Sequence, residues 1–180
     1  MKTRISAISG LFALAVIGFS LAGCGKSDSS GHSGAKQDSD SNRSTTALIQ
    51  PLLDEWQQGD KSTAISRFVQ SDWSRRPLFP ASSPLSLSEE QFTRLPASDR
   101  EAKSGEIASQ TRVLKELAAA VAQAGIDAVA KQDTAQARKH FTSLKQCGEA
   151  LDGPGSLAIT KLVGQGIKKR ADAELSKMGQ

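Results

Sequence analysis

At 180 residues, the chain has room for one small domain and its accessory segments. It contains 23 Lys and Arg against 19 Asp and Glu, with no Tyr, two Trp and six Phe. Nothing in this composition indicates nucleic-acid binding, which typically needs a clustered basic face with interleaved aromatic side chains.

The first 24 residues have three parts. Lys2 and Arg4 give a basic start, an uncharged apolar run follows from Ile5 to Leu21, and the segment ends in Leu21-Ala22-Gly23-Cys24. This resembles the signal sequence of a bacterial lipoprotein, because the last four residues match the lipobox of that family at every position. The resemblance implies that residues 1–23 are removed and that Cys24 carries the acyl chains that hold the protein on a lipid bilayer.

The location implied by the resemblance is the cell envelope. Residue 25 is Gly, whereas Asp at this position tends to retain lipoproteins in the inner membrane. In a cell with two membranes, the outer membrane, with the domain facing the periplasm, is therefore favoured. A transmembrane anchor over residues 5–21 and an ordinary secretory signal are the alternatives. Without Lys2 and Arg4, the chain has 21 basic and 19 acidic residues, a net charge of only about +2.

Residues 25–46 are rich in Ser, Gly and Asp and almost free of apolar side chains. Such a segment cannot bury enough surface to offset its ordering entropy, so it is predicted to be a disordered tether. His32 is interpreted as a solvated linker residue. The predicted organisation is a signal peptide over 1–23, the lipidated Cys and linker over 24–46, and a helical domain over 47–180.

A helical hairpin opens this domain. Apolar residues at helical spacing predict a first helix that begins near Leu48, because Pro51 fits only a first turn. Gly59 is expected to close that helix and Asp60 to cap the second one. The predicted apolar stripe of the second helix is Ala64, Ile65, Phe68 and Val69, and Trp73 is a candidate for its continuation.

Residues 74–88 form a Pro-rich loop. Its apolar residues are expected to lie against the core; they are Leu78, Phe79, Leu85 and Leu87. Arg75, Arg76 and Phe79 are the candidate contacts to a partner, and two solvated arginines at a helix end are the alternative for the arginine pair. Ser88 is expected to begin a short helix, Glu89–Leu95, which Pro96 stops.

Ser98-Asp99-Arg100-Glu101 resembles a capping box and is predicted to open the longest helix, which runs to about Gln132. One seam of this helix alternates four- and three-residue steps: Ile107, Thr111, Leu114, Ala118, Val121, Gly125 and Ala128. Its small residues predict close approach of another helix. Gly105 and Gly125 are candidate positions for a bend.

Two more helices complete the domain. Asp133 is expected to cap the first, with Ala137, Phe141, Leu144, Gly148 and Leu151 on its buried face. Gly153-Pro154-Gly155 ends it, and Ser156 is expected to start the last helix. The predicted core face of that helix is Ile159, Val163, Ile167, Ala171 and Leu175, with Leu162 and Met178 beside it. Its basic residues are interpreted as a solvated face, and contact with anionic headgroups is the alternative.

The two hairpin turns share a pattern: Asp60, Ala64 and Phe68 have the same spacing as Asp133, Ala137 and Phe141. This is similar to the second helix of tetratricopeptide-type repeats. Gly125, twelve residues before Ala137, matches the small residue of the first helix in that family, whereas the earlier copy has Leu52 there. The resemblance implies helical hairpins with a concave peptide-binding face.

The sequence offers few candidate catalytic residues. His140 is the only histidine of the predicted domain, and Cys147 lies two helical turns away, too far for a hydrogen bond along one helix. Cys147 is expected to be buried, because it follows Leu144 by one turn and precedes Leu151 by another. The carboxylates have no spacing typical of metal ligands. No catalytic residue, metal or cofactor is therefore predicted.

The sequence thus predicts an all-α fold of antiparallel helical hairpins with a Pro-rich loop, for which a TPR-like arrangement is one alternative. The functional hypothesis is a membrane-anchored envelope lipoprotein with a protein-binding or scaffold role and no catalysis. Its expected partners are the bilayer, through acylated Cys24, and an envelope protein, but no nucleic acid. The alternatives are a carrier of a small apolar ligand in an interhelical cleft, and a hydrolase-type enzyme centred on His140.

Overall fold

A computed structural model describes residues 47–179. This part of the chain contains six α-helices and no β-strand, which confirms the all-α prediction. The helices are α1 (Ile49–Gln57), α2 (Lys61–Gln70), α3 (Glu89–Thr93), α4 (Ala97–Ala130), α5 (Thr134–Leu151) and α6 (Ala158–Met178), with a 3-10 turn at Pro84–Ser86. The predicted signal peptide, Cys24 and the linker lie outside the described residues.

The hairpin of α1 and α2 forms as its turn residues predict. Gly59 has a φ of +89°, the left-handed conformation that glycine adopts most readily. The Asp60 carboxylate caps α2 by accepting a hydrogen bond of 3.3 Å from the backbone N–H of Thr63. The two helices contribute Ile49, Leu52, Leu53, Ala64 and Phe68 to the core.

The Pro-rich loop lies against the core as predicted, with Leu78, Phe79 and Leu85 buried and Leu87 half-buried. Its backbone also positions α1, because the carbonyl oxygen of Leu78 accepts a hydrogen bond of 2.9 Å from the N–H of Ile49. The short α3 begins with a complete capping box between Ser88 and Gln91 and ends at Thr93, two residues before the predicted end.

The capping box predicted for α4 is wrong. The helix begins at Ala97, directly after Pro96, and no side chain caps its first turn. Proline has a fixed φ that is compatible with helix entry, so the helix starts before Ser98 can occupy the cap position. The seam prediction is confirmed, because all seven of its residues are buried. The helix ends at Ala130, two residues before the predicted end, and it continues through Gly105 and Gly125.

The helix α5 packs most extensively against α6 and α4. Asp133 caps it by accepting a hydrogen bond of 2.9 Å from the N–H of Gln136, and its predicted face is buried. A Cβ added to Gly125 would lie 2.7 Å from the ring of Phe141, so α4 and α5 approach closely there. The contact of α5 with α6 is closer still: a Cβ on Gly148 would lie 2.6 Å from the carbonyl oxygen of Gly164.

The predicted core face of α6 is confirmed for Val163, Ile167 and Ala171, which are buried, but the predicted start and the place of Ile159 are wrong. The helix begins at Ala158, not at Ser156, and Ile159 and Leu162 are 42% and 64% exposed. The buried arc of this segment is Leu157, Thr160, Val163, Gly164, Ile167 and Ala171. Hydrophobicity alone placed Ile159 in the core, but the close contact at Gly164 shifts the buried arc around the helix, so that Ile159 lies at its exposed edge.

Candidate functional site

An open apolar groove lies between α4 and α6. It consists of two adjoining depressions of about 440 Å³ and 480 Å³, which share Lys115, Ile159 and Val163. We call it the α4–α6 groove. The first depression is lined mainly by apolar and small residues: Ala118, Ala119, Leu144, Ile159, Leu162, Val163, Gly166 and Ile167.

The groove is long and accessible. Its lining residues on α4 run from Ser104 to Ala119, a span of roughly 22 Å at the rise of an α-helix. Only three large apolar side chains are exposed among residues 47–179, and two of them, Ile159 and Leu162, line this groove. Clustered exposed apolar surface is typical of an interaction site.

The charged side chains that line the groove are mostly basic. Arg112, Lys115 and Arg170 are exposed, and none of the three forms an ion pair with a described residue. The single carboxylate among the described lining residues belongs to Glu89, which accepts a hydrogen bond of 2.9 Å from the N–H of Ala158 and so caps α6. The groove therefore presents unpaired positive charge beside apolar surface.

Gly166 lies in the interior of α6 and lines the groove. A Cβ added to it would have no atom within 4 Å. Glycine in a helix interior costs about 1 kcal/mol relative to alanine, and no packing contact within the domain requires it here. A larger side chain at this position would occupy the groove without disturbing the core.

The three residues predicted to contact a partner lie elsewhere. Phe79 is only 6% exposed and belongs to the core. The guanidinium of Arg76 donates hydrogen bonds of 3.1 Å and 2.9 Å to the carbonyl oxygens of Trp73 and Arg75, so it organises the loop. Arg75 is exposed and lines a different depression from the one that Arg76 and Phe79 line.

His140 and Cys147 are packing residues of α5. His140 is only 6% exposed, and its Nδ1 lies 2.8 Å from the carbonyl oxygen of Gln136. Cys147 is buried as predicted, and burial raises the pKa of its thiol well above the usual range. No hydrogen bond joins these two side chains in the described structure, and neither lines the α4–α6 groove.

Membrane spans and metal clusters are both absent from residues 47–179. None of the helices there is long and apolar enough to span a bilayer. In the same part of the chain, no group of three or more His, Cys, Asp or Glu side chains is placed to bind a metal ion.

Sequence reasoning missed Arg112, Lys115 and Gly166. The sequence signal that could have indicated the groove lies in α6. This helix has more large apolar residues than fit on one buried arc, and Leu162 falls outside that arc. The chain matches no protein-family model, and no match was found among curated proteins or solved structures.

Proposed function

We propose that the protein is a lipid-anchored component of the cell envelope whose helical domain binds another protein in the α4–α6 groove and has no catalytic role. The observation that carries this proposal is the exposure of Ile159 and Leu162 on a groove of roughly 22 Å. Laying an apolar helix face into such a groove is a common mode of peptide recognition.

The anchor is proposed from the lipobox and Cys24. A tether of about twenty residues reaches roughly 25 Å in root-mean-square terms, enough to hold the domain clear of the headgroups. Replacement Cys24→Ala is expected to move the protein from the membrane fraction to the soluble fraction. Retention in the membrane fraction would show that residues 5–21, and not acyl chains, hold the protein.

The shape of the groove favours a protein partner over a small ligand. Sites for small molecules usually enclose most of the ligand surface, whereas this groove is open along its length. The similarity of the two hairpins to tetratricopeptide-type repeats supports the same proposal. Ala64, Phe68, Ala137 and Phe141, the residues that carry this similarity, are buried.

A small apolar ligand is the second candidate. The volume of about 440 Å³ beside Ala118 and Ala119 lies within the range of small-molecule sites. In that case, the protein would carry the ligand between the α4 and α6 helices.

Site-specific photo-crosslinking in intact cells distinguishes the two. A photoreactive amino acid at Leu162 is expected to give a protein adduct, whereas one at the exposed Thr142 on α5, outside the groove, is not. A stoichiometric small molecule in the purified protein, with no protein adduct at Leu162, would replace the first candidate by the second.

A further inference from the structure

We propose that the segment held in the α4–α6 groove is an amphipathic α-helix with an acidic polar face. This inference rests on the proposed function of the groove, and it adds the chemistry of the partner segment.

Charge is the first reason. Arg112 and Lys115 are three residues apart on α4, so they lie on one side of that helix, and Arg170 stands on the α6 wall. The described structure supplies no ion-pair partner for any of them. A segment in the groove thus meets positive charge at both edges of its apolar face, and carboxylates on both flanks of an apolar stripe complement that arrangement.

Backbone chemistry is the second reason. A bound segment must satisfy its own N–H and C=O groups, and an extended peptide needs an external partner for them. No sheet edge exists among residues 47–179, and the hydroxyl of Thr111 in the groove already donates to the carbonyl oxygen of Ile107 at 2.7 Å. A helix satisfies its backbone internally and therefore fits this lining.

Size and shape are the third reason. A groove of roughly 22 Å accommodates about four turns of helix. Ala118, Ala119 and Gly166 are small, so a helix backbone can approach α4 and α6 closely. Since α4 and α6 both pack on α5, a helix laid between them completes a four-helix arrangement.

Other occupants fit less well. A second copy of this chain packed groove to groove would bring Arg112, Lys115 and Arg170 toward the same cations of its partner. A fatty acid has one anionic group, whereas the groove has cations on both walls.

The test uses the full mature protein in detergent and two labelled helical peptides of about 16 residues. Both have the same Leu and Ala stripe, and the polar face is Glu in one and Lys in the other. In fluorescence anisotropy at low salt, the acidic peptide is expected to bind with a Kd at least about tenfold lower than that of the basic peptide. This preference should shrink in roughly 1 M salt.

Two variants locate the binding. Gly166→Leu is expected to weaken binding of the acidic peptide at least about tenfold, because the new side chain occupies the groove. Gly105→Leu is the matched control: it is also an exposed glycine inside a helix with no atom within 4 Å of an added Cβ, and it does not line the groove. It should leave binding unchanged, and the double variant Arg112→Glu, Lys115→Glu should remove the preference for the acidic peptide.

Equal binding of the two peptides, binding of neither, or insensitivity to Gly166→Leu would overturn the inference. Saturable binding of palmitate that displaces the acidic peptide would overturn it in favour of an anionic amphiphile. The proposed function fails separately, through absence of a protein adduct at Leu162. An adduct to a segment that is not an acidic helix would reject only the inference.

Discussion

Gly148 and Gly164 pack backbone to backbone: a Cβ on Gly164 would lie 2.6 Å from the carbonyl oxygen of Gly148. This contact sets how closely α5 and α6 approach and which arc of α6 is buried. Ile159 and Leu162 lie outside that arc and are exposed. The groove therefore follows from a glycine contact in the core.

Replacement Gly164→Ala is expected to destabilise the domain by about 1–3 kcal/mol, because the added methyl overlaps backbone atoms of α5 that cannot move independently. Urea denaturation followed by circular dichroism measures the change. Gly166→Ala, two residues further along α6, is the control and should stabilise by up to about 1 kcal/mol. Equal stability of Gly164→Ala and the wild type would refute the packing account.

A buried hydrogen-bond chain joins the loop after α2 to α5. The indole N–H of Trp73 donates to the Ser143 hydroxyl at 2.9 Å, and that hydroxyl donates to the carbonyl oxygen of Phe68 at 2.9 Å. Ser143→Ala should cost about 1–3 kcal/mol, because it leaves the buried indole N–H of Trp73 without an acceptor. Tryptophan fluorescence during urea denaturation reports the loss. The same change at exposed Ser109 on α4 should lie within about 0.5 kcal/mol of the wild type.

Cys147 should resist thiol reagents in the folded protein, because burial keeps its thiol neutral and inaccessible. In strong denaturant it should react fully. The chain has two cysteines, so a count of one reactive thiol in the denatured mature protein is expected if the sulfur of Cys24 carries lipid. Two reactive thiols would contradict the proposed anchor.

Asp172 links α6 to α5 by charge. Hydrogen bonds from Lys168, at 2.6 Å, and from Lys145 on α5 hold the pKa of its carboxyl below the usual 3.8. A carboxyl with a lowered folded pKa stabilises the fold above its unfolded pKa, and that contribution disappears as pH falls through the folded value.

Asp172→Asn should therefore lower the urea midpoint slightly at neutral pH, and the difference from the wild type should vanish in acid below the folded pKa. High salt should reduce the neutral-pH difference. Glu101→Gln, at an exposed position of α4 with no ion pair to a described residue, should show no such pH dependence. A deficit of Asp172→Asn that stays constant down to low pH would contradict the assignment.

Local patterns predicted the helices well, because a cap or a seam depends on residues within one or two turns. Asp60 and Asp133 cap the helices that they precede, and the seven α4 seam residues are buried. The start of α4 was predicted wrongly, because two helix-start signals overlap there. The sequence pattern favoured a capping box at Ser98, whereas the helix begins directly after Pro96.

Contacts between distant segments were not predictable. Glu89 caps α6 across 69 residues, and the guanidinium of Arg76 lies 3.5 Å from the carbonyl oxygen of Ala150, 74 residues away. The exposure of Leu162 likewise depends on how α6 is rotated against α5. The groove could not be assigned from the sequence, because its walls belong to α4 and α6, which the whole of α5 separates along the chain.

The most direct test of the account compares crosslinking at Leu162 in intact cells between Gly166→Leu and Gly105→Leu. Both variants should fold, because neither new side chain meets another atom at its Cβ. We expect the protein adduct to persist in Gly105→Leu and to be lost in Gly166→Leu. Equal adduct yields in the two variants would contradict a partner held in the α4–α6 groove.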